Sequence, residues 1–194
     1  MKNKSLKDIL VPAIMLFVIA AICTALLAGT NLLTKDKIAE IAVQTEMKAK
    51  SAVFENATSF SDEKTITVNE KDYVYYDALD ESGKVIGYVF SVTVKSYGGD
   101  LSSMVGISAE TDKITGVEIT AISDTPGLGM KVDSKDFLSQ YIDRGGNIGV
   151  NKNEKTDTEI QAISGATISS KAVTDAVNQA FNAYETIKAG GNNG

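Results

Sequence analysis

The sequence predicts an α+β protein in which a single N-terminal transmembrane helix precedes a domain with an antiparallel sheet packed by helices. Three observations indicate this fold class: an uncharged apolar run near the N-terminus, a series of Val-, Ile-, Tyr- and Thr-rich segments separated by turn residues, and a final amphipathic segment. Consecutive strand-like segments joined by short turns are typical of an antiparallel meander with one buried face.

The apolar run, residues 9–33, contains 25 residues without a charge. As a helix it would extend about 37 Å, whereas the hydrocarbon core of a bilayer is about 30 Å thick. Pro12 falls in its first turn, where the missing N–H is tolerated. A cleaved signal peptide is the alternative, but its apolar region is usually about 7–15 residues long and precedes a small-residue cleavage site. This run is longer, and Leu26 stands where a small residue would be needed.

The charges before this run predict its orientation. Lys2, Lys4 and Lys7 precede the run and are opposed only by Asp8. Such an excess of lysine favours a cytoplasmic N-terminus under the positive-inside rule. The chain would then cross the cell (plasma) membrane once and place the rest of its residues on the outer face.

The remaining chain divides into a connecting helix and a domain. Apolar residues recur at spacings of three and four through residues 34–57, which predicts a helix that continues from the membrane span. The expected organisation is a cytoplasmic N-terminus at 1–8, a transmembrane helix at 9–33, a connecting helix at 34–57, a globular domain at 58–190 and a flexible tail at 191–194.

Val, Ile, Tyr and Thr are enriched in about four predicted strands. They are Tyr73–Leu79, Val85–Lys95, Ser103–Ala109 and Ile114–Ile122, and a further short strand is compatible with Thr65–Val68. Clusters of Gly, Asp and Ser separate them and indicate turns.

The C-terminal third of the chain predicts shorter elements and one long helix. A short helix is expected around Ser134–Tyr141 and a short strand at Ile160–Ile163. From Ser169 onward an apolar stripe continues for about five helical turns. Gly190 and Gly191 are expected to end this helix.

The composition excludes several kinds of chemistry. The chain has no His and no Trp, and its one cysteine, Cys23, lies inside the apolar run. The outer domain therefore has no disulfide, no Cys–His zinc site, no iron–sulfur cluster and no His-dependent catalytic triad. If the domain performs redox chemistry, an organic cofactor must supply it, and a covalent tether outside the membrane must use a hydroxyl. The net charge of −6 makes nucleic acid a poor partner.

The segment Ser164–Ser170, with the sequence SGATISS, is the candidate functional site. It lies between a strand-like run and the final helix, where small residues let a bulky group approach the backbone. Unpaired N–H groups at a helix start favour an anion such as a phosphate. Thr167 carries the hydroxyl nearest to that point. On composition alone, ordinary helix capping by Ser or Thr is the simpler explanation.

Three segments together resemble the FMN-binding domain family. SGATISS at 164–170 is similar to the family's (S/T)GAT attachment motif, DTPGLG at 124–129 to its ETPGLG loop, and SYGGDL at 96–101 to its glycine pair before a strand. They occur in the family's order, and the membrane span and the helix after it fit as well. The layout most resembles the G subunit of the Rnf ion-translocating electron transport complex. The C subunit of the Na+-translocating NADH:quinone reductase is the close alternative.

The resemblance implies a membrane-anchored flavoprotein subunit. In the family a flavin transferase joins FMN through a phosphoester to the Thr of SGAT, here Thr167, so the chain would be a phosphoprotein with a covalent flavin. By resemblance the complex passes electrons between ferredoxin and NAD+ and moves Na+ or H+, with other membrane subunits as partners. Such a subunit has no complete active site of its own, and whether it counts as an enzyme stays open.

The same motifs imply which residues contact the cofactor. Thr167 would carry the FMN phosphate, and Tyr97 is the tyrosine that we single out as a candidate for stacking on the flavin. A type II turn at Pro126 and Gly127 explains part of the DTPGLG loop without any cofactor. The other residues of the implied binding set are Ser164, Gly165, Ala166, Ser169, Ser170, Asp124, Thr125, Leu128, Gly129, Gly98 and Gly99.

The chain departs from the family's pattern at three positions. Gln161 stands where Asp is frequent before the attachment motif, and Ser123 and Asp124 replace the usual His and Glu before PGLG. Two other functions are compatible with the same sequence. One is an anchored extracellular flavoprotein for electron export or sensing outside an ion pump. The other is a non-redox surface scaffold in which SGAT only caps a helix.

Overall fold

A computed structural model describes residues 6–190 of the 194-residue chain. The first five residues of the predicted cytoplasmic N-terminus, and the whole predicted tail at 191–194, lie outside the described residues. The chain divides into two units, with the boundary after Gln44.

The first unit is helical. It consists of helix α1 up to Gln44, and the last turns of α1 belong to the second unit. Helix α1 has the bounds Leu6–Val53, so the predicted membrane span and connecting helix form one element, which ends before the predicted end at Ala57. Its apolar side chains from Ile9 to Leu33 are exposed, as lipid contact requires. The helix is long and apolar enough to cross a membrane.

The second unit is built on a six-stranded antiparallel sheet, which confirms the predicted sheet type. The order is β1-β3-β4-β5-β6, and β2 also pairs with β3. Four long strands match the predicted ones, β2 corresponds to the short strand considered compatible with Thr65–Val68, and only β1 of this sheet was not predicted. The strands are β1 (Ser59–Phe60), β2 (Lys64–Val68), β3 (Lys71–Leu79), β4 (Val85–Lys95), β5 (Asp100–Ser108) and β6 (Ile114–Ile122).

The turn before β5 is shorter than the sequence predicts. Ser96 N donates a hydrogen bond to Gly99 O at 2.7 Å, so the reversal is complete by Gly99. Asp100 is already paired with Lys95 across the ladder. β5 therefore begins three residues before the predicted start at Ser103.

One face of the sheet packs against the C-terminal helix α3, Thr167–Lys188. The buried stripe of α3 is rich in alanine, and small side chains let a helix lie close to the strands. Burial of this apolar surface is the main force that holds helix and sheet together. The core includes Phe90, Val92, Leu101, Val105 and Ile107 from the sheet, and Val173, Ala176, Val177, Ala180 and Tyr184 from the helix.

The last turn of α1 covers the opposite face of the sheet. Gly106 and Gly116 permit the contact, because a Cβ on either glycine would lie within 3 Å of Val53 backbone atoms. Thr115 Oγ1 donates to Val53 O at 2.6 Å. A second apolar cluster forms around this contact and includes Ala49, Val53, Phe54, Tyr76, Ala78, Val89 and Met104.

Short elements connect β6 to α3. A 3-10 turn at Gly129–Asp133, helix α2 at Lys135–Leu138 and a 3-10 turn at Ser139–Tyr141 replace the single short helix predicted there. Two strands follow, β7 (Gly149–Asn151) and β8 (Glu159–Gln161), and they pair in parallel. The sequence predicted a strand near β8 and missed β7, because three residues after a Gly-rich stretch carry no periodic signal.

Candidate functional site

The DTPGLG loop follows β6 and forms a tight turn. Gly127 has a φ of +76°, and Leu128 N donates to Thr125 O at 3.2 Å. This is the geometry that Pro and Gly at the two central positions of a type II turn favour. The turn accounts for Pro126 and Gly127. It does not account for Leu128, whose side chain is half exposed and faces a cavity.

Asp124 joins the three segments that carry the family resemblance. Its carboxylate accepts hydrogen bonds from Ser96 Oγ and Gly98 N, both at 2.6 Å, and from the Ser169 side chain at the start of α3. The residue is 3% exposed. Burial raises the pKa of Asp124, but the three hydrogen bonds outweigh burial and hold this pKa below its ordinary value. The carboxylate therefore links the DTPGLG loop to the SYGGDL loop and to helix α3.

Two glycines are required where these segments meet. A Cβ on Gly98 would lie 2.3 Å from Ser123 O, and a Cβ on Gly129 would lie 2.6 Å from Asp124 Cβ and 2.8 Å from Ser169 Oγ. Real Cβ atoms do not approach other atoms so closely, so either position must lack one. Gly98 and Gly129 thus serve the packing around Asp124.

The attachment loop leads from β8 to α3. Gly165 has a φ of +79°, and Ala166 N donates to Ile163 O at 2.9 Å, which turns the chain toward the helix. Ser170 Oγ accepts from Ile163 N at 3.1 Å and donates to Ala166 O at 3.0 Å. Ser170 is fully buried, so its hydroxyl fixes this loop against the first turn of the helix.

Thr167 is the first residue of α3 and does not cap it. The N-cap position is Ala166, and no side chain makes a capping hydrogen bond there. The helix begins two residues earlier than predicted, and the explanation of Thr167 as a capping threonine is wrong. The first N–H groups of α3 have no preceding helical carbonyl to bind.

A cavity of about 430 Å³ lies between the DTPGLG and attachment loops. Its volume is in the range of small-molecule sites, roughly 300–1,000 Å³. Three of its side chains, Tyr97, Leu128 and Ile168, are apolar or aromatic and 71%, 50% and 57% exposed, so the cavity has an open apolar rim. The lining residues are Tyr97, Thr125, Leu128, Gly129, Gly165, Ala166, Thr167, Ile168 and Ser169.

A second cavity, of about 260 Å³, shares Gly165 and Thr167 with the first. Its other lining residues are Lys152, Ala162, Ile163 and Ser164. Thr167 therefore stands where an apolar cavity meets one that contains a lysine. A further cavity of about 450 Å³ shares Ala162 and Ile163 with the second cavity and includes none of the predicted binding residues. Its other lining residues are Ser134, Asp136, Phe137, Gln140, Lys155 and Gln161.

The structure gathers most of the predicted binding residues around Thr167. Gly98, Gly99, Asp124 and Ser170 line neither cavity, so their contact with a cofactor stays a prediction. Sequence reasoning missed Ile168 and Lys152. Ile168 could have been found as an apolar residue off the buried stripe of α3, whereas no local signal indicates Lys152. The predicted residues at the cavities are Thr125, Leu128, Gly129, Ser164, Gly165, Ala166, Thr167 and Ser169.

Comparison with known proteins finds similar sequences over most of the chain. The family model of the FMN-binding domain matches residues 96–182, and that of the RnfG N-terminal region matches residues 1–53. The chain is 32% identical over 180 residues to the G subunit of the ion-translocating oxidoreductase complex of Methanosarcina acetivorans, covering 90% of this chain and 93% of that protein.

Two further relatives are named for different ions. The chain is 32% identical over 188 residues to the G subunit of the Na+-translocating ferredoxin:NAD+ oxidoreductase complex of Acetobacterium woodii, covering 90% of each protein. It is 30% identical over 166 residues to the G subunit of the proton-translocating ferredoxin:NAD+ oxidoreductase complex of Clostridium ljungdahlii, covering 85% of each.

Two solved structures share the fold. The C subunit of the Na+-translocating NADH-quinone reductase from Parabacteroides distasonis matches with a TM-score of 0.51 and 20% identity, over 60% of this chain and 62% of that one. NqrC from Shewanella oneidensis matches with a TM-score of 0.53 and 19% identity, over 71% and 72%. This likeness concerns the fold alone, and it confirms the predicted fold class.

Proposed function

Because the chain belongs to the family of G subunits of Rnf ion-translocating oxidoreductase complexes, and is thus a membrane-anchored electron-transport flavoprotein subunit, we propose that FMN is esterified to Thr167. We further propose that this flavin relays electrons within a ferredoxin:NAD+ oxidoreductase complex. Relatives named for Na+ and for protons match almost equally well. We therefore propose an ion-translocating complex and name no ion.

One observation carries the proposed attachment: Thr167 lies in the first turn of α3, lines both cavities and has no capping role. A threonine there has a hydroxyl available for chemistry and unpaired backbone N–H groups beside it. Helix starts of this kind bind phosphate groups. The position thus suits a flavin phosphate better than it suits an ordinary helix cap.

The residues around Thr167 fit a flavin. The isoalloxazine ring has broad apolar faces, and Tyr97, Leu128 and Ile168 offer exposed apolar and aromatic surface to such a ring. A Cβ on Gly165 would lie 3.6 Å from Leu128 Cδ2, so a larger residue at 165 would narrow the passage between the loops. The glycine keeps that passage open.

The protein's part in electron transfer would be to hold and shield the cofactor. When bound, the flavin supplies the redox chemistry itself. Asp124 holds the two loops and α3 in fixed positions, and Leu128 and Ile168 would exclude water from the ring. Among the described residues that line the apolar cavity, none has a carboxylate, an imidazole or an amine. The site therefore suits electron transfer better than general acid–base catalysis.

Formation of the ester requires an activated donor and a second enzyme. Thr167 Oγ would attack the phosphorus of the flavin phosphate, and the bond from that phosphorus to its leaving group would break, with the hydroxyl proton passing to solvent. FMN alone offers a poor leaving group. A flavin dinucleotide, which would release a nucleoside monophosphate, balances the step. We therefore include a flavin transferase among the partners.

Charge placement supports the proposed orientation. Lys2, Lys4 and Lys7 precede the apolar segment, which favours a cytoplasmic N-terminus. The flavin domain would then lie on the outer face of the cell membrane. A covalent tether suits that face, because a cofactor lost outside the cell is not replaced.

In-gel flavin fluorescence tests the attachment. The full chain is produced with a flavin transferase, denatured and separated, and the wild type is compared with Thr167→Ala and with the control Thr125→Ala. Thr125 lines the same cavity, so the control removes a nearby hydroxyl while leaving the attachment residue in place. We expect fluorescent bands from the wild type and Thr125→Ala, and none from Thr167→Ala. Fluorescence that persists in Thr167→Ala would place the ester elsewhere.

Co-purification tests membership in the complex. Extraction from native membranes with a mild detergent should recover the chain together with several multi-span membrane proteins. Recovery of a flavinylated chain alone would favour the anchored flavoprotein that acts outside an ion pump.

A further inference from the structure

The second cavity at Thr167 contains a charge that the proposed function does not use. Of the described residues that line the two cavities, Lys152 is the only one with a charged side chain. It is exposed, and it forms no ion pair within 4.0 Å with any other side chain that the structure describes. A free cation therefore stands in the same cavity as the attachment threonine.

The pairing of β7 with β8 brings Lys152 to this place. The strands are parallel, with Asn151 opposite Gln161, and Ala162 N donates to Asn151 O at 2.7 Å. Parallel strands end at the same edge of a sheet. Lys152, which follows Asn151, and the attachment loop, which follows Gln161, therefore leave that edge side by side.

Two hydrogen bonds fix the backbone around Lys152. Asn151 Oδ1 accepts from Asn153 N at 3.0 Å, and Gln161 Nε2 donates to Asn153 O at 2.8 Å. The first is a local turn of the kind that asparagine side chains form. The second ties the turn to the strand that leads to Thr167. The lysine thus leaves a fixed backbone although its side chain is exposed.

A phosphate esterified both to Thr167 and to the ribityl chain keeps one negative charge at neutral pH. An exposed ion pair between free groups is weak. Here the ester would hold the phosphate beside the cavity that Lys152 lines, and a tethered partner has a high effective concentration. The protein carries a net charge of −6, which repels phosphate. Lys152 supplies a local positive charge that opposes this repulsion.

We propose that Lys152 pairs with the flavin phosphate and is its positioning residue, an inference that rests on the attachment of FMN to Thr167. The pair draws the phosphate into the cavity that contains Lys152. The ring is thereby directed toward the other cavity, between Leu128 and Ile168. The lysine takes no part in electron transfer and acts only through the placement of the cofactor.

Phosphorus NMR of the flavinylated full chain in detergent tests the pair. The variants are Lys152→Ala, the conservative Lys152→Arg and the control Lys155→Ala. The control removes the same charge from the same connection, but Lys155 lines the adjoining cavity, which does not include Thr167. We expect the wild-type phosphorus shift in Lys152→Arg and Lys155→Ala. In Lys152→Ala we expect a shifted and narrower signal, because the phosphate has lost its partner.

Salt gives a second readout on the same samples. At about 1 M salt the screening length falls to about 3 Å, so the wild-type signal should move toward that of Lys152→Ala, whose own signal should stay constant. A folded Lys152→Ala that accepts no FMN, while Lys155→Ala is fully modified, would also support the pair. If Lys152→Ala fails to fold, Lys152→Gln takes the same measurements.

Intact mass separates the two ways in which this inference can fail. If the wild type, made with the transferase, carries no FMN on Thr167, the proposed function itself is wrong. If Thr167 carries FMN and the phosphorus signal of Lys152→Ala equals that of the wild type, only the role of Lys152 is refuted. Equal shifts in Lys152→Ala and Lys155→Ala would likewise refute it, because a general effect of charge would then explain both.

Discussion

Substitution of Asp124 by asparagine tests whether one carboxylate holds the site together. Asparagine keeps the shape of the side chain but replaces one acceptor oxygen with a donor NH2 group. Asp124 Oδ1 accepts from Gly98 N and Oδ2 from Ser96 Oγ, each at 2.6 Å, with Ser169 as a third donor. The hydroxyls of Ser96 and Ser169 can rotate to accept a hydrogen bond from the new NH2 group, whereas the Gly98 N–H group can only donate one.

The expected loss of stability follows from these contacts. A hydrogen bond to a charged group contributes about 1.5–3 kcal/mol and a neutral one about 0.5–1.5 kcal/mol. Weakening three such bonds, offset by the smaller cost of burying a neutral group, gives a loss of about 2 kcal/mol in the free energy of unfolding. Urea unfolding of the full chain in detergent, followed by near-UV circular dichroism, measures this loss.

The pH dependence of the effect has a definite sign. The pKa of Asp124 lies below its ordinary value in the folded state, so its stabilisation is complete above the unfolded-state pKa of about 3.9. It is lost as the pH falls through the lower folded-state pKa. The difference between the wild type and Asp124→Asn should therefore be full at pH 5–7 and should close below about pH 4. Asp62, which is exposed, provides the control Asp62→Asn. If Asp124→Asn and Asp62→Asn have the same free energy of unfolding at pH 7, the proposed role of Asp124 is refuted.

Three other substitutions test separate features of the domain. Gly129→Ala would place a methyl group within 3 Å of Asp124 and Ser169, so we expect a loss of about 1–3 kcal/mol in unfolding free energy by the same urea assay; a neutral result would contradict the tight packing there. Lys50→Ala removes a buried ammonium that lies 3.2 Å from the Tyr76 ring centroid and pairs with Glu46 at 2.6 Å. It should lower the free energy of unfolding by about 1–2 kcal/mol, whereas the exposed control Lys48→Ala should lower it by almost nothing. Tyr97→Ala should leave the free energy of unfolding unchanged, because Tyr97 is 71% exposed. If the Tyr97 ring stacks on the flavin and quenches its fluorescence, the variant should have a brighter flavin in the native protein. Unchanged native fluorescence would rule out that stacking.

The long elements of the fold were predictable because their signals are local in the sequence. The uncharged run, the β-branched segments Val85–Lys95 and Ile114–Ile122, and the apolar stripe of α3 each repeat over several residues. The strands β1 and β7 have only two or three residues. Such strands exist only because β3 and β8 supply hydrogen-bond partners, so no pattern within their own sequence indicates them.

The candidate site, like the fold, was predictable only where its signal is local in the sequence. Thr167 and its neighbours were found as a contiguous motif that also marks the strand-to-helix junction. The contact of Asp124 with a cofactor stays a prediction. Its three donors, which lie 28, 26 and 45 positions away in the sequence, were not predicted. Lys152 reaches the site only through the parallel pairing of β7 with β8. Contacts of this range depend on the fold, and no single segment of the sequence encodes them.

Tandem mass spectrometry of the peptide that contains Thr167, prepared from the organism's own membranes, is the decisive measurement of flavin attachment. We expect a fragment series in which the mass of FMN, less one water, is localised on Thr167 and not on Ser164, Ser169 or Ser170. An unmodified Thr167 in native material, with the flavin absent or attached to another residue, would contradict it.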